Sequence, residues 1–148
     1  MSTQKKPIIH AYLNFEGRCE EALEFYKKAL DAKVEMLMRH KESPEPAPPG
    51  CVPPGAENKV MHSSFFVGES MVMATDGRCS GTASFAGITL SISTFTIPEA
   101  NKFFNALAEG GQVQMPQTKT FFSPSFGMVM DKFGVTWMVI VPMEMPHK

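Results

Sequence analysis

The chain has 148 residues, 43% of them hydrophobic and 20% charged, with a formal net charge of −1. A chain of that length suits one modest domain that buries roughly 70% of its unfolded surface, so its core needs neither disulfide nor metal. A near-neutral charge argues against nucleic acid and anionic membrane as partners, because both call for a basic face.

Methionine, proline and phenylalanine each occur 12 times, beside one tryptophan and two tyrosines, so a cavity here is expected to be apolar and adaptable. The early apolar run from Pro7 to Leu13 is broken by His10, too short for a signal h-region with its cleavage site. No stretch approaches the ~20 apolar residues that span a bilayer. Cys19, Cys51 and Cys79 form no CxxC pair, and sparse thiols without a signal point to the cytoplasm.

In chain order, the first expected strand runs from Ile8 to Phe15. Alternation puts His10, Tyr12 and Asn14 on one face and Ile9, Ala11, Leu13 and Phe15 on the other. The apolar set is expected to pack under the helix that follows. That helix carries Ala22, Phe25, Tyr26, Ala29 and Leu30 at i, i+3, i+4, i+7 and i+8, one amphipathic stripe. Cys19 falls near its start, where a thiolate would be stabilised. With no histidine following it nearby as a base, a half-buried inert thiol is expected. The helix ends at Leu30-Asp31-Ala32, where Asp31 is expected in the left-handed region.

Strands follow at Lys33–His40, Lys59–Val67 and Ser70–Thr75. The stretch Ser43 to Gly55 holds half of the prolines and forms neither helix nor inner strand. It is read as a solvated loop, a lid or a dimer arm. On the strand at 59–67, His62, Ser64 and Phe66 share a face. Glu35 and Glu69 are read as solvent-facing or in turns.

The pattern then repeats. A strand at Ile88 to Thr94 precedes a helix opened by Thr96-Ile97-Pro98-Glu99, a capping box with proline in the first turn. Its stripe is Ala100, Phe103, Phe104, Leu107 and Ala108, stopped by Gly110-Gly111. Strands follow at Gln112–Thr118, Phe126–Met130 and Val135–Val141. On the last, Thr136, Met138 and Ile140 oppose Val135, Trp137 and Val139. Gly68 and Gly134 mark the closing hairpins.

The chain is thus read as one α+β domain, 1–148, made of two βαβββ modules, about 7–76 and about 85–141. Their concave sheets are expected to enclose a ligand cavity. Its candidate lining is His10, Tyr12, Asn14, His62, Ser64, Phe66 and Met138. His10 and His62 are the sharpest chemical candidates, as general bases or metal ligands, against the blander role of histidines bonded to neighbouring backbone or hydroxyls. The strand methionines are read chiefly as core filler, with a Met-lined pocket as the alternative. Asp76 and Asp131 sit at strand ends, where aspartate commonly bonds to backbone. Arg18, Arg39, Arg78 and Lys119 are the cations placed to draw an anionic ligand, though such charges are mostly solvated. His40 and His147 are assigned to loop and tail. No GxGxxG, Walker, GxSxG or HExxH motif is present.

The runs His10-Ala11-Tyr12-Leu13-Asn14-Phe15-Glu16-Gly17, Met61-His62-Ser63, Met73-Ala74-Thr75-Asp76 and Asp131-Lys132-Phe133-Gly134-Val135-Thr136-Trp137-Met138 carry a likeness. So do Glu21-Ala22 and Phe25-Tyr26. Together they resemble the PhnB-like branch of the glyoxalase/bleomycin-resistance, or vicinal oxygen chelate, superfamily. The resemblance implies paired βαβββ modules and a homodimer. It also implies the label 3-demethylubiquinone 3-methyltransferase, although no glycine-rich nucleotide loop follows a strand and the chain is short for a Rossmann methyltransferase.

The superfamily's metalloenzymes place a histidine on the first strand, a glutamate on the last strand of module one, and a matching pair in module two. His10 fits the first position. Met73, Ala74 and Thr75 offer no glutamate, and the second pair falls near Gly87 and Met138. The resemblance therefore implies a metal-independent protein binding a small molecule in a Met/Phe-lined cavity. The alternatives are a divalent-metal-dependent lyase or dioxygenase of the glyoxalase type, and a drug-sequestering resistance protein.

Overall fold

The structure, a computed structural model, describes residues 5–45 and 53–143. Most of the proline-rich stretch 43–55, with Cys51, and His147 in the tail lie outside the described residues. The elements are β1 (Tyr12–Asn14), α1 (Cys19–Leu30), β2 (Lys33–Arg39), β3 (Val60–Val67) and β4 (Ser70–Thr75), then β5 (Thr89–Ser93), α2 (Ile97–Ala108), β6 (Gln112–Thr118), β7 (Phe126–Met130) and β8 (Thr136–Ile140). His40 begins a short 3-10 turn, His40–Glu42, after β2.

The α+β architecture of two βαβββ repeats is the one expected. One sheet has the order β1-β4-β3-β2 and the other β5-β8-β7-β6. In each, the first strand joins the last in parallel and the remaining neighbours are antiparallel. Both sheets are open. The chain divides into two compact units, residues 1–23 with 32–82 and residues 24–31 with 83–148. No helix among the described residues is long and apolar enough to cross a membrane.

In the first unit, register places Leu13, Ser63, Phe65 and Ala74 on one face of the sheet, all of them buried. Cys19 at the start of α1 meets this face, its Sγ 3.7 Å from Ser63 Oγ. Ile9, expected to pack there too, is 97% exposed. The ladder begins only at Tyr12, so Ile8, Ile9 and His10 precede it and have no sheet neighbours to cover them.

The two helices start differently. Thr96 Oγ1 accepts the Glu99 N–H at 3.2 Å, a local N-cap with Pro98 in the first turn. The start of α1 is capped from far along the chain: Asp76 Oδ1 accepts the Cys19 N–H at 2.7 Å, and its Oδ2 accepts the Val60 N–H at 2.6 Å. Asp31 closes α1 with φ +53°, the left-handed conformation expected of it.

In the second unit, Val129, Trp137 and Val139 form the buried face, with Ala100, Phe104 and Leu107 of α2 buried as well. The apolar stripe of α1 divides, with Ala22 grouping with the first unit. Tyr26, Ala29 and Leu30 cluster with the second unit. The cause is chemical: a buried tyrosine needs a partner for its hydroxyl, and Asp131 supplies one. Tyr26 OH donates to Asp131 Oδ2 at 2.6 Å, and its ring meets Trp137 edge-on at 5.6 Å.

Candidate functional site

The sequence and the alternation of β-strands put a distinctive set of side chains on the other face of the first sheet. Tyr12 pairs with Met73, Met73 with Ser64, and Ser64 with Met36, so these four form one row across β1, β4, β3 and β2. Adjacent strands lie about 4.8 Å apart, so Tyr12 and Ser64 are about 10 Å from each other. Neighbouring rows hold Met38 opposite His62, and Phe66 opposite Met71. The face therefore carries four methionines, two aromatic rings and a histidine.

The methionines do not fill the core. None of them is buried among the described residues: Met36 is 38% exposed, and Met38, Met71 and Met73 are half-buried. The core on the opposite face is made instead of Leu13, Phe65 and Ala74. The reason is register. Met36, Met71 and Met73 share the parity of Ser64, while the helix-side positions are taken by the other parity.

Two polar pairs sit among the thioethers. Tyr12 OH lies 3.5 Å from His62 Nδ1, with the rings edge-to-face at 5.6 Å between centroids. Ser64, only 5% exposed, donates its hydroxyl to Glu35 Oε1 at 3.0 Å. Glu35 is exposed, as expected, yet it lies in strand β2 and is not spent on solvent alone. Val34 pairs with Phe65 and Met36 with Ser64, which leaves Glu35 as the extra residue of a β-bulge. The bulge turns its carboxylate toward Ser64. Sequence alternation cannot reveal this, because a bulge breaks the period of two on which such reasoning rests. The same irregularity recurs in the second sheet, where Val113 pairs with Val129 and Met115 with Met128, leaving Gln114 as the extra residue.

Of the residues expected at the site, the structure brings Tyr12, His62, Ser64 and Phe66 onto this face. Asn14 lies at its end, opposite Thr75 and beside the turn at Gly77. His10 is half-buried just ahead of β1. Met138 lies in the second sheet, in a row with Ser91, Met128 and Met115.

The aspartates at strand ends are structural. Asp76 caps α1 as described. Asp131 accepts from Tyr26 and Trp137 through Oδ2, and from the N–H groups of Phe133 and Val135 through Oδ1. Cys19 is fully buried, and burial pushes its thiol up to about 12, far from the reactive range.

A polar cleft of about 410 Å³ opens beside the start of α1 in the first unit, with Glu20, Arg39, Asn58, Lys59 and Asp76 in its walls. Its charges are already engaged. Arg39 makes a two-pronged pair with Glu20 at 2.9 and 2.8 Å and also donates to the Asn58 carbonyl. The Glu20 hydrogen bond pushes the Arg39 guanidinium further up. Lys59 donates to the Gly17 carbonyl at 2.9 Å. Arg18, another expected anion-seeker, is held by Glu21 at 2.7 Å.

A divalent metal of the glyoxalase kind does not fit these residues. Among the described residues no three His, Cys, Asp or Glu side chains gather as a metal-holding group. The last strand of the first module turns Met71, Met73 and Thr75 to the face where a glutamate would be required. Thioethers are poor ligands for hard, oxygen-seeking cations.

Comparison with known proteins now places the chain. A family model described as 3-demethylubiquinone-9 3-methyltransferase matches residues 7–140. The chain belongs to this family. It is 33% identical over 145 residues to Protein YjdN of Escherichia coli strain K12, covering 93% of this chain and 97% of that protein. The crystal structure of PA1353 from Pseudomonas aeruginosa is 38% identical, with a TM-score of 0.79, covering 94% of this chain and 100% of that one. The PhnB protein from Bacillus cereus is 28% identical, with a TM-score of 0.74, covering 91% and 99%. A glyoxylase/bleomycin resistance protein/dioxygenase domain from Frankia sp. EAN1pec, 13% identical with a TM-score of 0.63 over 95% of this chain and all of that one, shares the fold. The site is therefore read in the setting of this family, whose solved relatives include the PhnB protein.

Proposed function

We propose that the chain binds a small, largely apolar molecule on the methionine-rich face of its first sheet, without a divalent metal. Tyr12, His62, Ser64 and Glu35 are its polar fixtures, and Phe66, Met36 and Met73 its apolar bed. His10 and Asn14 border the face, and Met138 lies in the equivalent row of the second sheet. The observation that carries this reading is the displacement of the methionines from the core. Half-exposed thioethers around hydrogen-bonded polar pairs are costly to leave in water and suit an adaptable ligand surface.

The family's description names a methyl transfer. The described elements form two open mixed sheets, with no doubly wound parallel sheet and no glycine-rich turn between strand and helix, so the residues support binding more directly than that reaction. We also take the working form to be a homodimer, as the family resemblance implies, and its compartment to be the cytoplasm, as the sparse thiols suggest.

Native mass spectrometry with elemental analysis of the purified protein tests the reading. The expected result is an organic mass released on unfolding, or uptake of an apolar probe, with well under one divalent ion per chain. One tightly held divalent ion per chain, lost in His10→Ala, would overturn it and restore a metal-dependent lyase or dioxygenase. Sedimentation should show a dimer; a monomer at all concentrations would contradict the assembly.

A further inference from the structure

We infer that Glu35 sets the charge of the ligand, and that the methionine-rich face takes an amphiphilic monocation: a protonated amine on an apolar body about 10 Å long. This rests on the reading of that face as the binding surface.

The bulge places a carboxylate where alternation would have placed none, and Ser64 fixes one of its oxygens at 3.0 Å. Ser64 is itself buried, so the hydrogen bond is held by the sheet and not by a mobile side chain. An ionised carboxylate can accept about four hydrogen bonds. Ser64 supplies one, and among the described residues no cation lies within ion-pair distance of Glu35. The acceptor capacity that remains is open to a donor on a ligand.

The rest of the row suits the remainder of such a molecule. From Ser64 the row runs over Met73 to Tyr12, which is 47% exposed. Thioethers and an aromatic ring are polarisable surfaces on which an apolar body rests well. The corresponding bulge in the second sheet holds neutral Gln114, so the charge belongs to the first sheet alone. Lys33 shares the face, but it sits in the row of Phe66 and makes no ion pair with Glu35.

The test uses three probes with one apolar body: phenylbutylamine (cationic), phenylbutanol (neutral) and phenylbutyrate (anionic). Calorimetry on the full chain at neutral pH should give amine binding about fivefold tighter than alcohol binding, the size expected of a part-exposed charge pair. Phenylbutyrate should bind weakest. Glu35→Gln should remove the amine's advantage over the alcohol. Lys33→Ala should preserve the order. Raising salt should shrink the amine's advantage. Equal binding of amine and alcohol, or an amine affinity indifferent to Glu35→Gln, overturns the charge assignment while leaving the binding face standing. Tightest binding by phenylbutyrate, lost in Lys33→Ala, overturns it in favour of an anion. Binding of none of the three overturns the face as a site, and this inference with it.

Discussion

Asp131 is the best place to test the physical account of the second unit, because one buried carboxylate there holds four donors. Oδ1 accepts the Phe133 and Val135 N–H groups at 2.9 and 3.1 Å, and Oδ2 accepts Tyr26 OH and Trp137 Nε1 at 2.6 and 2.8 Å. Asp131→Asn keeps the shape but replaces one acceptor oxygen by a donor. Whichever way the amide turns, two buried donors then face an NH2 group. Each stranded donor costs about 1–3 kcal/mol, so the variant should lose about 4 kcal/mol. For a chain of this size that is a fall in Tm of about 8–16 °C.

Tyr26→Phe removes one donor and leaves the carboxylate three, so it should cost only about 1 kcal/mol. The double variant should cost less than the sum, since the tyrosine hydroxyl has nothing to lose once the acceptor has gone. Trp137 is the only tryptophan, so urea unfolding followed by its fluorescence reads the very side chain that touches Asp131. A loss below about 1 kcal/mol in Asp131→Asn, or equal losses in the two single variants, would refute the reasoning.

Three further outcomes are expected. Asp76→Ala should destabilise the chain more than Thr96→Ala, about 3 against about 1 kcal/mol, because Asp76 satisfies two buried N–H groups and Thr96 one exposed one; equal losses in chemical denaturation would contradict the distant cap. Gln117 carries a buried amide with no partner among the described residues, close to Gly127, so Gln117→Leu should raise stability by about 1 kcal/mol, and a clear loss would show that the amide is satisfied. Burial raises the Cys19 thiol from 9 to about 12, so the folded state holds its proton more tightly than the unfolded state. The resulting stability is present below pH 9 and is lost as pH rises toward 12; Cys19→Ala should flatten that alkaline decline, and an unchanged pH profile would contradict the assigned cause.

Much of this architecture is legible in the sequence, for reasons that particular residues show. Thr96-Ile97-Pro98 announces α2 because its cap is local. Leu90, Ile92, Trp137 and Val139 announce β5 and β8 because a half-buried strand alternates without interruption. What stays hidden is whatever depends on a partner far along the chain or on a break in period. The α1 cap comes from Asp76, on the far side of three strands. The second half of α1 answers to Asp131, which no local pattern indicates. Met36, Met71 and Met73 read as core because methionine is apolar, and only the register with Ser64 turns them outward. Glu35 shows the break in period most clearly: it is solvent-facing as alternation suggests, and a one-residue bulge also makes it a neighbour of Ser64.

The central claim is that the ligand lies on the methionine-rich face of the first sheet. Methionine-methyl NMR tests it most directly, with phenylbutanol titrated into protein labelled at the methionine methyl groups. The account predicts that Met36, Met38, Met71 and Met73 shift together and saturate, and that Met61, on the opposite parity of β3, stays still. Saturable binding that leaves those four methyl groups unmoved would contradict it.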